Sequence, residues 1–213
     1  MLPISISLTY NSSMKCNIVD YGTGNLQSVQ NALEHLGHSV NRSNNEDIFT
    51  SADVVIFPGQ GSFGPAIKKL NQLNLKSKLV KYVQSKRPFI GICLGYQLLF
   101  NKSEESSKSE GIGCFTGSFK RFNNPTLSVP HMGWNSISVT GEKSILNQFN
   151  NERFYFVHSY YLPNTTESSQ AKTNYGTEFV SAIANKTQLI TQFHPEKSGD
   201  VGLELLNSFL KGL

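Results

Sequence analysis

The sequence predicts an α/β fold: an open, mostly parallel, twisted sheet between two layers of helices, with an antiparallel extension in the second half. Short apolar runs alternate with helical patterns in the first half, which is typical of a parallel sheet. Strand patterns follow one another across turns in the second half, which indicates antiparallel pairing. With 38% hydrophobic and 16% charged residues, the composition fits one packed globular domain.

In the first half, three apolar runs predict buried strands and three periodic stretches predict helices. The strands are expected at Cys16–Tyr21, Ala52–Phe57 and Phe89–Ile92. The helices are marked by Leu26, Val29, Leu33 and Leu36, then by Leu75, Leu79 and Val83, and a third is expected to begin at Leu98.

The second half begins with a polar stretch at residues 102–110, in which only Ser, Lys and Glu occur and which predicts an exposed loop. Val201, Leu205 and Phe209 then predict a closing helix. Between them, strands are expected at Ser118–Phe122, Ser136–Thr140, Phe154–His158, Phe179–Ile183 and Leu189–Phe193.

Charge, cysteine content and hydropathy argue against several classes of protein. The net charge of +4 is spread along the chain, without the basic run that suits nucleic acid. No apolar stretch is long enough to span a bilayer. The three cysteines, Cys16, Cys93 and Cys114, form neither a Cys-x-x-Cys motif nor a disulfide framework, which favours a reducing compartment, a cytoplasm or a plastid stroma.

Residues 1–14 precede the domain expected at residues 15–213. Two interpretations fit this segment: a disordered extension, or a misassigned start with Met14 as the initiator. The second is favoured because the first good strand begins immediately after Met14. Retention of Met1 in an intact-mass measurement on the natural protein would refute it.

Gly-Ile-Cys-Leu-Gly at residues 91–95 has a nucleophile between two glycines, where a strand is expected to give way to a helix. Such a turn strains the nucleophile's backbone, and the small neighbours prevent collisions. A helix N-terminus also stabilises a thiolate. Cys93 alone could equally be a buried structural cysteine.

His194-Pro195-Glu196 ends the last predicted strand. Proline holds the preceding residue extended, and side chains two apart in an extended chain share a face. His194 and Glu196 can therefore act as a base and the carboxylate that orients it, although an isolated pair of this kind is more often a surface ion pair. Finding Cys93 and His194 at the ends of two predicted parallel strands favours a shared site.

Pro-Gly-Gln-Gly at residues 58–61 follows another predicted strand on the same edge. It could be a plain turn, or it could aim a backbone N–H of Gly59 or Gln60 at an oxyanion, beside the N–H of Leu94. Gly-Thr-Gly at residues 22–24 does not complete a dinucleotide-binding fingerprint, because Gln27 stands where the third glycine would fall.

From Lys15 to its C-terminus the sequence resembles the class I, triad-type glutamine amidotransferases, which have a flavodoxin-like fold, and within them the glutaminase subunits of imidazole glycerol phosphate synthases. The cysteine turn and His-Pro-Glu belong to the wider class. The segments specific to these subunits are Tyr-Gly-Thr-Gly-Asn at 21–25 and Pro-His-Met-Gly-Trp-Asn at 130–135, and His-Ser-Tyr-Tyr at 158–161 also matches. Two departures from the family pattern are Gln60, where valine is usual, and Tyr96, where methionine is common.

The resemblance implies that Cys93, His194 and Glu196 hydrolyse L-glutamine through a thioester, without a metal or organic cofactor. It implies a heterodimer with a cyclase subunit, a (β/α)8 barrel that receives the ammonia and makes imidazole glycerol phosphate and an aminoimidazole carboxamide ribotide in histidine synthesis. The implied glutamine-binding residues are Gly61, Gln97, Ser159 and Tyr160, and the implied partner-facing residues are Asn25, Trp134, Tyr155 and Lys197.

Three other functions remain open on the sequence alone. The same triad could serve another synthase, such as a pyridoxal phosphate synthase, or a peptidase-like hydrolase. The chain could also be a noncatalytic module that regulates a synthase. The last alternative predicts that Cys93→Ala leaves function intact.

Overall fold

A computed structural model describes residues 13–213; most of the predicted extension or alternative start at residues 1–14 lies outside them. The strands are β1 (Lys15–Val19), β2 (Ser39–Ser43), β3 (Val54–Gly59), β4 (Phe89–Cys93), β5 (Lys102–Ser103), β6 (Ser118–Arg121), β7 (His131–Ser136), β8 (Ser138–Gly141), β9 (Arg153–His158), β10 (Tyr160–Tyr161), β11 (Ser169–Asn174), β12 (Glu178–Ala184) and β13 (Gln188–Thr191). The α-helices are α1 (Leu26–His35), α2 (Phe63–Gln72), α3 (Lys76–Gln84), α4 (Leu94–Leu98) and α5 (Gly199–Lys211).

The central sheet has eight strands in the order β2-β1-β3-β4-β13-β12-β11-β8. The five strands from β2 to β13 are parallel, and β12, β11 and β8 continue the sheet in antiparallel pairs. The predicted α/β fold is therefore confirmed. Since β3, β4 and β13 are adjacent and parallel, their carboxyl ends meet at one edge, which is where ligands bind in open α/β sheets.

Helices cover both faces of the sheet, because its parallel strands present apolar side chains on both faces. Within β3, Val54 belongs to one buried cluster and Val55 to the other, as the alternation of side chains in a strand requires. The first cluster contains the inner faces of α1 and α5, and the second contains those of α2 and α3. No helix among residues 13–213 is both long and apolar enough to cross a membrane.

Several first-half boundaries were wrong. The helix predicted to begin at Leu98 is α4, which instead begins at Leu94 and ends at Leu98. Pro58 and Gly59, predicted as a turn, are the last residues of β3. The sequence patterns missed β2, because an edge strand with mostly polar residues has no apolar run. They also missed α2, whose buried residues have helical spacing, because Gly64 and Pro65 in its first turn are typical of a loop.

The segment at residues 102–110, predicted to be an exposed loop, is exposed at five of its nine positions but is not only a loop. It contains β5, which pairs with β6, and a 3-10 turn over Glu104–Ser106. The side chain of Ser103 is buried. Polar residues pack here because partners satisfy them: the Glu105 carboxylate accepts a hydrogen bond from the backbone N–H of Phe63 at 2.9 Å.

The antiparallel extension contains only some of the strands predicted for it. Strand β6 belongs to a separate three-stranded sheet, β10-β6-β5, and β9 pairs with β7 in a two-stranded ribbon. The strand predicted at Ser136–Thr140 is broken at Ile137, which separates β7 from β8. Strand β11 was missed because its inward side chains are small or polar, although burial alternates along it.

Candidate active site

Cys93 lies at the junction of β4 and α4, with a backbone φ of 54°. Non-glycine residues rarely adopt such a conformation, and it costs about 1–3 kcal/mol unless the surroundings impose it. The two flanking glycines explain how it is imposed. A Cβ on Gly95 would lie 1.9 Å from the Phe57 carbonyl oxygen, and a Cβ on Gly91 would lie 2.9 Å from Ile190. The neighbouring strands therefore enclose the turn that raises Cys93.

Two hydrogen-bonded glutamines hold a donor against the Cys93 sulfur. Gln192 Nε2 lies 3.8 Å from Cys93 Sγ, and Gln192 Oε1 accepts a hydrogen bond from Gln97 Nε2 at 3.0 Å. Because Gln97 donates to the oxygen of the Gln192 amide, the amide must turn its NH₂ group toward the sulfur. Sequence reasoning missed Gln192. Its position two residues before His194 was the available signal, because alternate residues of a strand share a face.

His194 follows β13 and is held by Glu196. Nδ1 of His194 lies 2.7 Å from Glu196 Oε1, and both side chains are almost completely buried. The carboxylate accepts a hydrogen bond from Nδ1–H, so the neutral ring carries its lone pair on Nε2. Within residues 13–213, buried Nε2 has no hydrogen-bond partner. It is therefore available to exchange a proton with a reacting group.

The charge of His194 depends on its neighbours. Burial lowers the pKa of the His194 imidazole, but the nearby Cys93 sulfur and the Glu196 carboxylate raise it by more, so the net shift is upward. The imidazolium form is thus stabilised beside the sulfur and the carboxylate. A cationic imidazole beside the sulfur can give a proton to a reacting group.

A cleft of about 480 Å³ brings most of the predicted residues together. It contains the predicted nucleophile and base, two of the three predicted oxyanion residues, Gln60 and Leu94, and the whole predicted glutamine-binding set. Its lining is Gln60, Gly61, Cys93, Leu94, Gln97, Glu105, Pro130, Tyr155, Val157, His158, Ser159, Tyr160, His194 and Lys197.

The remaining predicted residues lie around the cleft. Glu196 is behind His194, and Gly59 ends β3, where a Cβ would collide with the hydroxyl of Tyr21 at 2.3 Å. Asn25 caps α1 through a side-chain hydrogen bond with the Ser28 backbone. Trp134 is 47% exposed. Neither Asn25 nor Trp134 is among the described residues that line the cleft.

Glu105 is a lining residue that sequence reasoning missed. It comes from the polar segment predicted to be an exposed loop, and it is the only acidic side chain among the described residues that line the cleft. Nothing in the spacing of Ser, Lys and Glu at 102–110 distinguishes Glu105 from its neighbours. Its role depends on the fold, which brings the 3-10 turn against the start of α2.

Comparison with known proteins gives a consistent assignment. Residues 17–213 match the family model "Glutamine amidotransferase class-I". The chain is 41% identical to imidazole glycerol phosphate synthase subunit HisH of Methanosarcina acetivorans, over 91% of this chain and 96% of that protein. It is 43% identical to the HisH subunit of Methanopyrus kandleri, over 93% of this chain and 98% of that protein.

A longer relative and a solved structure extend the comparison. The chain is 41% identical to chloroplastic imidazole glycerol phosphate synthase hisHF of Arabidopsis thaliana over 97% of its own length, but it spans only 36% of that protein. A crystal structure titled as a glutamine amidotransferase matches with a TM-score of 0.71 at 16% identity, covering 92% of this chain and 97% of that one. The structural likeness supports the fold alone. The chain therefore belongs to the class I glutamine amidotransferase family, and within it to the HisH subunits of imidazole glycerol phosphate synthase.

Proposed function

We propose that this chain hydrolyses L-glutamine to glutamate and ammonia with Cys93, His194 and Glu196. The observation that carries the proposal is the arrangement at one sheet edge: a sulfur on a strained turn faces the same cleft as a histidine that a buried carboxylate orients. This arrangement is that of a nucleophile, a base and an orienting group.

The first half of the reaction forms a thioester. The Cys93 thiolate attacks the carboxamide carbon of glutamine, and the carbonyl oxygen becomes an oxyanion that the backbone N–H groups of Leu94 and of the Gly59–Gln60 segment stabilise. The His194 imidazolium gives its proton to the amide nitrogen as the carbon–nitrogen bond breaks. Ammonia leaves, and neutral His194 remains beside the glutamyl thioester.

The second half regenerates the thiolate. Neutral His194 takes a proton from water, whose oxygen attacks the thioester carbon, and the carbon–sulfur bond breaks to release glutamate. The sum is glutamine plus water giving glutamate plus ammonia. Glu196 stays ionised throughout and stabilises the imidazolium whenever it forms.

The charges around the cleft support an amino acid as substrate. Free glutamine has both an ammonium and a carboxylate group, and Glu105 supplies a negative charge inside the cleft. We propose that the Glu105 carboxylate binds the ammonium group of glutamine, because a charge-assisted hydrogen bond is stronger than a neutral one. Gly61, Gln97, Ser159 and Tyr160 would hold the remaining polar groups of glutamine.

The ammonia is proposed to pass to a cyclase subunit, with which this chain forms a heterodimer. The hisHF relatives of Arabidopsis thaliana and Schizosaccharomyces pombe support this partner, since the chain spans 36% and 38% of them. The cyclase would cover Asn25, Trp134, Tyr155 and Lys197 and make imidazole glycerol phosphate in histidine synthesis. The proposed location is a cytoplasm or a plastid stroma. The Arabidopsis thaliana relative, which is chloroplastic, supports the second possibility.

The test is glutamate release by the purified chain, alone and with the cyclase subunit of a HisH relative's synthase. Cys93→Ala should abolish glutamine-dependent synthesis and leave ammonia-dependent synthesis by the complex intact. Cys114→Ala is the matched control, because Cys114 is not among the residues lining the cleft. Full glutaminase activity in Cys93→Ala would refute the mechanism. Absence of cyclisation with either nitrogen source would refute the partner.

A further inference from the structure

Three side chains form a hydrogen-bonded chain from β7 to the turn beside the cleft. Asn135 Nδ2 lies 3.3 Å from His131 Nε2, and His131 Nδ1 lies 3.1 Å from His158 Nε2. His158 Nδ1 in turn lies 2.8 Å from the carbonyl oxygen of Tyr160. Both histidines are buried. This series of hydrogen bonds therefore ends on Tyr160, a residue assigned to hold glutamine.

The Asn135 end fixes where the first proton lies. Asn135 Oδ1 accepts a hydrogen bond from the Ser136 backbone N–H at 2.8 Å, and Asn135 Nδ2 donates one to the Asn174 carbonyl at 2.9 Å. The second N–H of that amide is the one that points to His131 Nε2. Because Nε2 accepts, the neutral His131 ring must carry its proton on Nδ1.

The Tyr160 end requires the same direction. A backbone carbonyl can only accept, so His158 must carry its proton on Nδ1 and use Nε2 as an acceptor. That acceptor is what the Nδ1–H of His131 needs. The two ends are set independently, and both lead to one pair of tautomers in which each donor faces an acceptor.

The surroundings keep the rings uncharged. The His131 ring lies between Tyr175, with a centroid distance of 4.0 Å, and Phe156, with a centroid distance of 4.9 Å. Burial lowers the pKa of His131 to about 4. Burial is also the main cause that lowers the pKa of His158 to about 3. A neutral imidazole ring donates one hydrogen bond and accepts one, as this series of hydrogen bonds requires of both His131 and His158.

We propose that Asn135, His131 and His158 are positioning residues that fix the Tyr160 carbonyl, and with it the Ser159–Tyr160 turn that holds glutamine. The proposal rests on the glutaminase function given above. The turn's other carbonyl, on Ser159, is held by the backbone N–H of Phe122 at 3.1 Å. With both carbonyls fixed, the turn is preorganised for its ligand, which lowers the ordering cost of binding.

Two substitutions of His131 separate a positioning role from simple packing. The amide nitrogen of an asparagine lies near the position of histidine Nδ1, so His131→Asn retains the donor to His158, whereas His131→Leu removes it. In the complex with the cyclase, we expect His131→Leu to raise KM for glutamine about tenfold, because one buried acceptor loses its donor. His131→Asn should stay within about threefold of wild type, and kcat should change less than KM in both.

Tautomers measured by nitrogen NMR on the full wild-type chain with ¹⁵N-labelled histidines provide the second readout. We expect the proton on Nδ1 of both His131 and His158. A proton on Nε2 of His158 would overturn the proposal, as would a folded His131→Leu variant with wild-type KM. If His131→Leu does not fold, the NMR tautomers and the KM of His131→Asn test the proposal instead. A tenfold rise in KM for His131→Asn would then overturn the positioning role. Failure of the wild-type complex to release glutamate would instead refute the glutaminase function.

Discussion

The carboxylate of Glu105 accepts a hydrogen bond from the backbone N–H of Phe63 at 2.9 Å, although the two residues are 42 positions apart in sequence. This contact joins a 3-10 turn to the first residue of α2 and brings an acidic side chain to the cleft. The N-terminal end of α2 gains an acceptor for a free N–H group, and the cleft gains a fixed negative charge.

Glu105→Gln tests that charge. Glutamine retains an acceptor for the Phe63 N–H but cannot neutralise an ammonium group, so we expect KM for glutamine to rise about tenfold with little change in stability. Glu104→Gln is the matched control, because Glu104 bonds the backbone N–H of Arg121 and is not among the cleft-lining residues. Steady-state kinetics with equal KM for both variants would contradict the role given to Glu105.

Glu196→Gln tests the orientation of His194. The amide cannot stabilise the imidazolium as a carboxylate does, so we expect kcat/KM for glutamine to fall about 100-fold or more. Ammonia-dependent synthesis by the complex should be unchanged. Glu204→Gln, on an exposed position of α5, is the control. Comparable activities of the two variants would show that Glu196 does not take part.

Gly95→Ala tests the turn that carries Cys93. A Cβ at position 95 would lie 1.9 Å from the Phe57 carbonyl oxygen, and backbone atoms of a central strand cannot move aside as a flexible side chain can. We expect loss of about 3 kcal/mol or more of the free energy of unfolding, measured by chemical denaturation. Gly212→Ala, where the nearest heavy atom to a Cβ is at 3.4 Å, should differ from wild type by less than about 0.5 kcal/mol.

Acid should destabilise the fold through His131 and His158. Their folded pKa values are lowered to about 4 and about 3, so below pH ~6.5 the unfolded chain binds protons that the folded chain does not. Stability should then fall with falling pH by up to about 1.4 kcal/mol per pH unit for each histidine. His194 has the opposite shift, so its contribution is complete in acid and is lost only at high pH.

Denaturation curves recorded between pH 7 and pH 4 would measure this effect. His131→Asn should flatten the profile, because it removes one of the histidines whose pKa is lowered. His35→Asn, at an exposed position of α1, should leave the profile as in wild type. A flat wild-type profile over this range would contradict the assignment of neutral histidines.

The elements with the strongest apolar signals were the easiest to predict. β3 and β4 are buried along their whole length, and a continuous apolar run is what a central parallel strand requires. Cys93, His194 and Glu196 could be predicted to share one site because chemistry and local geometry coincide there: a candidate nucleophile lies between glycines, and a candidate base lies two positions from a carboxylate.

What could not be predicted depends on contacts between distant segments. Glu105 reaches the cleft only because β5 pairs with β6, and Gln192 reaches the sulfur because Gln97 orients its amide. β7 and β9 pair with each other rather than with the central sheet, and no periodicity distinguishes these two possibilities. The local sequence pattern determines whether a segment forms a strand or a helix, whereas contacts between distant segments determine which strands pair.

The ribbon of β7 and β9 has a mechanical consequence. Trp134 is the cross-strand neighbour of Tyr155, and His131 is that of His158. One small sheet thus carries the exposed indole of Trp134 on β7 and three cleft-lining residues on β9, namely Tyr155, Val157 and His158. A partner that contacts Trp134, as proposed above, would therefore contact the same two-stranded sheet that lines the cleft.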